Sequence, residues 1–179
     1  MKGLARRNER AADRPTVRLS VLDRLIDEAP DKPDELTLSN AEAVVHVRNA
    51  LRRDLEALLN AHRRWRSVPE GYDELPRSLL AWGIADFTAG AFNDPRKREE
   101  LRTEIENAIR TFETRLARVR VTLLEPDNTL SSTLRLRIDG LLRIETEAEP
   151  IAFDTLINAA STGVKVEANL ERLRSPDDV

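Results

Sequence analysis

Glu113 and Arg115 stand two residues apart in FETRLARVRVTLLE, residues 112–125, where a helix-like apolar spacing gives way to alternation. An acid and a base at such a joint have two possible uses. Glu113, beside the apolar Phe112, can be cast as the proton donor of a glycoside hydrolase, which needs two carboxyl groups about 5–10 Å apart with one of them held protonated. Arg115 opposes that casting, because a nearby cation favours the ionised carboxylate. The other use is a charged contact, made within the chain or offered to a partner.

The remaining inventory is sparse. His46 and His62, the only histidines, fall on one predicted helix about 24 Å apart at about 1.5 Å per residue, too far to share a metal. With no cysteine, thiolate nucleophiles, disulfides and cysteine metal sites are excluded, and no HExxH or EF-hand spacing replaces them. No glycine-rich loop precedes a helix, and no GxSxG is present. The sequence therefore predicts no catalytic residue, no cofactor and no metal. Arg118, Arg120, Arg135, Arg137 and Arg143 can form a basic sheet face, but readers of single strands add aromatic stacking platforms, which these positions lack. Asp139, Asp154 and Glu167 offer cross-strand neutralisation instead, so no nucleic-acid partner is expected.

Composition sets the frame for these residues. At 179 residues, with 40% hydrophobic and 34% charged side chains, the chain can bury a core beneath a heavily ionised surface. A formal net charge of −3 steers it to neither nucleic acid nor membrane. Lysine stands only at 2, 32, 97 and 165; the arginine bias suits forked interface contacts and equally suits a GC-rich genome. No apolar run approaches the roughly 20 residues needed to span a bilayer, so direct membrane insertion is not expected and a cytoplasmic location is.

The elements follow from periodicity. A mobile arm is predicted over 1–17, one folded domain over 18–170 and a frayed tail over 171–179. SVLDRLIDEA reads as a short helix with Val21, Leu22, Leu25 and Ile26 on one face and Ser20 as cap. Ser39 and Glu42 form a capping box for a long helix through residues 40–64, with Val44, Val47, Leu51, Leu55, Leu58 and Leu59 as its apolar stripe and Arg48, Arg52, Arg53 and Glu56 on a solvated face. In the aromatic-rich middle, Leu79, Leu80, Trp82, Ile84 and Phe87 are expected to pack onto the core. A second long helix starts at Asn93 or Asp94 with Pro95 in its first turn, and Leu101, Ile105, Ala108, Ile109 and Phe112 form its stripe.

Four strands should follow. Ala117, Val119, Val121 and Leu123 mark the first; Leu134, Leu136, Ile138, Leu142 and Ile144 the second, with Gly140 on the apolar side where a close neighbour can enter; Ile151, Phe153 and Ile157 the third; Val164, Val166, Ala168 and Leu170 the fourth. The fold class is α+β: N-terminal helices followed by a small antiparallel β-meander covered by the second long helix.

RLSVLDRLID, VRNALRRDLEALLNAHR with Trp65, LPRSLLAWGIADFT, REELRTEIENAIRTFETRLARVRVTL, and TLRLRIDGLLRIE before IAFDT occur in that order, and together they resemble the lysozyme-like baseplate-wedge family of contractile injection machines over about residues 18–168. That family usually carries Glu-Pro-Arg at the end of the second long helix; here the positions are Glu113, Thr114 and Arg115, so the acid and base match and the proline does not. The resemblance implies a non-enzymatic part of a baseplate, of type VI secretion or alternatively of a phage tail, with a peptidoglycan hydrolase as the weaker alternative. It implies that Glu113, Thr114 and Arg115 dock on the wedge proteins TssF and TssG, and that a sheet edge accepts a strand from the sheath proteins TssB and TssC, in a baseplate at the inner membrane. Val164, Lys165, Val166 and Glu167 are the expected edge, which proline at Lys165 or Glu167 would test. Charge reversal at Arg115 is expected to weaken wedge assembly and to leave the isolated fold intact.

Overall fold

The computed structural model describes residues 19–25, 39–63, 71–85, 94–124, 133–144, 148–158 and 163–169. The predicted arm and tail lie outside them, as do Ile26, Phe87 and Leu170. The chain falls into two compact units, Met1–Leu51 with Ile144–Glu147, and Arg52–Arg143 with Ala148–Val179.

In the first unit, helix α1 (Val21–Leu25) is opened by Ser20, whose hydroxyl accepts from the Asp23 N–H at 3.1 Å. Its apolar side chains Val21, Leu22 and Leu25 are largely exposed. Helix α2 (Asn40–Asn60) begins in this unit with the predicted capping box: Ser39 N–H donates to Glu42 at 2.9 Å, and Glu42 N–H donates to the Ser39 hydroxyl at 3.3 Å. These bonds from Ser39 hold the Glu42 carboxyl below its ordinary pKa, so the box is complete at neutral pH and is lost as the pH falls through that lowered value. Ala43, Val47, Ala50 and Leu51 are buried on this half of the helix, whereas Val44 is only half-buried.

The second unit is built on a four-stranded antiparallel meander. Strands β3 (Leu116–Leu124), β4 (Thr133–Arg143), β5 (Ala148–Asn158) and β6 (Val164–Ala168) lie in chain order. Before them come two two-residue strands, β1 (His62–Arg63) and β2 (Ile84–Ala85), paired in parallel, and helix α3 (Pro95–Phe112). His62 therefore sits on a strand and not on the long helix, which stops at Asn60. Asp94 caps α3 by accepting from Arg96 N–H at 2.9 Å, and Pro95 fits the first turn, where no N–H partner exists.

Alternation puts Leu134, Leu136, Ile138 and Leu142 of β4, Ile151, Phe153 and Ile157 of β5, and Val164 and Val166 of β6 on one buried face. Two helices serve this core, not one. Leu55, Leu58 and Leu59 of α2 are buried as are Leu101, Ile105, Ala108 and Ile109 of α3, while hydrogen bonds join α2 to β6 and α3 to β3. In β3 the predicted alternation fails at its start: Leu116 is buried and Ala117 exposed, because a bulge between Leu116 and Arg118 inserts a residue and shifts the register. Gly140 pairs with Val119, next to that bulge, and a Cβ there would meet Leu116 Cδ2 and the Arg118 carbonyl oxygen, both at 3.3 Å. The close neighbour expected at this glycine is present.

Leu79 and Leu80 depart from expectation. They lie on a short 3-10 turn (Leu79–Ala81) and are 86% and 67% exposed, while Ala81 and Ile84 take the buried positions. Trp82 meets Phe112 edge to face at 5.1 Å between ring centroids, which closes the end of the α3 stripe.

Thr155 breaks the apolar face. It is fully buried opposite Leu136 and Val166, and its hydroxyl has no hydrogen-bond partner. Thr155→Val keeps the branched shape and removes the orphan group, so unfolding in urea should show a gain of about 1 kcal/mol.

Candidate functional site

Glu113 and Arg115 are brought together by the end of α3. Glu113 is its C-cap: the backbone N–H donates to the Ile109 carbonyl at 2.8 Å, and the side chain turns inward, leaving the residue 7% exposed. Arg115 returns to it over Thr114, with Nε donating to Oε1 at 2.7 Å, Nη2 donating to Oε2, and the Arg115 backbone N–H donating to Oε1 at 3.1 Å. Arg115 Nη2 also reaches Asp54 Oδ2 on α2 at 2.7 Å. Hydrogen bonding to Glu113, opposed by burial and reinforced by its charge and by Asp54, raises the guanidinium pKa above its ordinary value. Thr114 is exposed and Arg115 half-buried.

The joint therefore ties three elements: the end of α3, the second half of α2, and the start of β3. Arg143 N–H adds β4 by donating to the Arg115 carbonyl at 2.8 Å. As the acid of a hydrolase, Glu113 is badly placed. It is buried, and both of its oxygens already accept from Arg115.

The expected strand-pairing edge is already occupied in part. Asn158 N–H donates to the Gly163 carbonyl and Asn169 N–H to the Ala152 carbonyl, so in the antiparallel register residues 163, 165, 167 and 169 turn toward β5. Of the four edge residues, only Val164 and Val166 direct main-chain groups outward. Val164 N–H donates to Asn60 Oδ1 at 2.9 Å and its carbonyl accepts from Asn60 Nδ2 at 2.8 Å, while the Val166 carbonyl accepts from Arg52 at 3.4 Å. Lys165 and Glu167 pair with each other at 2.6 Å on the exposed face, which raises the Lys165 pKa through the hydrogen bond to Glu167. Proline at Lys165 or Glu167 would therefore break the β5–β6 ladder itself and cannot test the outer edge.

The opposite edge is held by α3 in the same manner. Val121 N–H donates to Glu106 at 3.0 Å, and the Val119 and Val121 carbonyls accept from Arg110 at 3.1 Å and Arg102 at 3.2 Å. These three side chains pair among themselves, Arg102 with Glu106 at 2.9 Å and Glu106 with Arg110 at 2.6 Å. On the polar sheet face, Arg137 meets Asp154 across the β4–β5 ladder at 2.9 Å, the neutralisation expected there. Glu104 accepts from both Ala85 N–H and Arg63, at 2.7 and 2.9 Å, fastening β1 and β2 to α3.

Sequence reading missed Asn60, Asp54, Glu104 and the Arg102–Glu106–Arg110 row. A signal exists for the rows: Arg52, Glu56 and Asn60, like Arg102, Glu106 and Arg110, recur every fourth position beside a buried stripe, a spacing that aims one helical row at a neighbour. No group of metal-ligating side chains occurs among the described residues, and none of their helices is long and apolar enough to cross a membrane.

A meander whose edges are clipped by two helices, fastened by an ion-paired joint, defines a small α+β protein whose polar side chains join its own elements. Residues 45–147 match the family described as baseplate wedge protein gp25, and the chain belongs to that family. Among curated proteins, none matches the chain.

Proposed function

We propose that the protein is a non-enzymatic structural component of the baseplate of a contractile injection machine. The observation that carries this is the family match over 45–147, which takes in α2 from residue 45, all of α3 and the Glu113–Arg115 joint. The finer reading is a type VI secretion baseplate subunit of the TssE kind, in the cytoplasm at a baseplate docked on the inner membrane. It would join the wedge proteins TssF and TssG to the first ring of TssB and TssC sheath. The support is the sequence resemblance together with a joint whose exposed rim, Thr114 and the outer side of Arg115, stays available once Glu113 has been engaged.

Thr114 tests the docking role without disturbing the buried pair. Thr114→Trp should leave the melting temperature within about 2 °C, since exposed substitutions cost little, and should lower co-purification with TssF and TssG at least about tenfold, roughly the 1.4 kcal/mol that a lost contact at an interface supplies. Unchanged co-purification rejects docking at this joint. Sheath, inner-tube and membrane-complex genes beside the coding gene would favour secretion; capsid and terminase genes would favour a phage tail.

A further inference from the structure

We infer that Asn60 is a displaceable cap on the β6 edge, holding that edge closed in the free chain and yielding it to an incoming strand. The inference rests on the reading that the sheet receives a sheath strand, and it assigns the edge and the residue that regulates it.

The two edges differ in what closes them. At β3 a partner strand would have to strip a carboxylate and two guanidinium groups from Val119 and Val121. Glu106 is mostly buried and paired to both arginines, so its removal would break two ion pairs at once. At β6 the closure is one neutral amide and one long bond from Arg52. The Asn60 amide presents a carbonyl to Val164 N–H and an NH2 to the Val164 carbonyl, the two groups a peptide in a neighbouring strand would present. An incoming strand therefore replaces these bonds like for like, and no charge is stranded.

The cap stands at an open end of its helix. Asn60 is the last residue of α2 and is exposed, and a cleft of about 280 Å³ lined by Arg52, Arg53, Glu56, Ala57 and Asn60 runs along this side of the helix. Asn60 Nδ2 also donates to the Glu56 carbonyl at 2.8 Å, a bond within the last turn that the side chain keeps when it leaves Val164. The occupant is an extended segment of the sheath: outward main-chain groups at alternate residues of β6 carry the spacing with which a strand pairs.

The test uses the full chain and two variants. In Asn60→Ala the Val164 amide should exchange with solvent at least about tenfold faster, with Lys165 and Glu167 unchanged because they bond to β5. Asn60→Asp, which keeps an acceptor for Val164 N–H and sets a carboxylate against its carbonyl, should fall between. Unaltered Val164 exchange in Asn60→Ala overturns the cap. Titrated with purified TssB–TssC sheath, Asn60→Ala should bind at least about threefold tighter than the parent and regain Val164 protection in the complex. Equal or weaker binding overturns the displacement step. Faster exchange with no binding by either protein overturns the sheath as occupant and with it the sheath-linking role, whereas the TssF–TssG result stands apart from both.

Discussion

Arg115→Met should destabilise the free chain by about 3 kcal/mol, because it leaves the Glu113 carboxylate buried without its cation. The loss is larger than for a surface ion pair, which contributes about 0–1 kcal/mol, since Glu113 cannot turn to water from inside the C-cap. Adding Glu113→Gln to Arg115→Met should restore a large part of that loss, and a double-mutant cycle in urea measures it; a double variant no more stable than Arg115→Met would refute the pairing argument. Arg115→Lys, which keeps the charge and loses the fork, should cost about 1–2 kcal/mol. The raised guanidinium pKa fixes the pH behaviour. A cation whose folded pKa lies above its unfolded value stabilises fully below the unfolded value, which for arginine is beyond the working range, so this contribution stays flat from neutral into alkaline solution. The same geometry withdraws the expectation that charge reversal spares the isolated fold. Arg115→Glu sets a third carboxylate between Glu113 and Asp54, and any loss of wedge assembly in that variant would be confounded by unfolding.

Gly83→Ala should lower stability by at least about 3 kcal/mol and the melting temperature by about 10 °C. Two causes combine. Gly83 has φ +101°, a conformation that side chains rarely adopt, and its added Cβ would stand 2.2 Å from the Ala61 carbonyl oxygen and 2.8 Å from its carbon. That oxygen cannot retreat, because it accepts the Ile84 N–H at 3.0 Å in the contact that begins the β1–β2 pairing. Gly71 separates the two causes. It has φ +92° with nothing within 4 Å of an added Cβ, so Gly71→Ala carries the backbone strain alone and should cost about 1 kcal/mol. A melting shift equal in the two variants would remove the steric argument at Gly83.

Elements with a strong period were legible from residue order alone. The Ser39–Glu42 box, the Asp94–Pro95 start of α3 and the alternation of β4 each combine a local hydrogen-bond preference with a face that must be buried, and both causes lie within a few residues of sequence. Where one cause was missing, reading failed. His62 follows an apolar stripe yet leaves the helix because its backbone pairs with Ile84, a partner set by the turn at Gly83. Ala117 yields its place to Leu116 through a bulge, which no alternation rule encodes. The joint was visible as two charges, but not its direction: Arg115 turns inward because Glu113 is the C-cap and Asp54 approaches from another helix. The edge caps were hidden for a related reason, since a polar row beside a stripe reads as solvated until the strand beneath it is known.

Pro150 sets how far the pairing of β5 with β6 can be bonded from both sides. It lies on β5 opposite Leu141, beyond the last rung with β6, where Asn169 N–H meets the Ala152 carbonyl. By the alternation of that register, its ring nitrogen stands where β5 would offer its next N–H toward β6, so β5 supplies no donor at that rung. Bonding from both strands is thereby limited to the rungs up to Ala152, a measure set by one residue on β5 that acts as a ruler. The β5–β6 pairing is a click-in fitting of fixed span in place of an open-ended zipper.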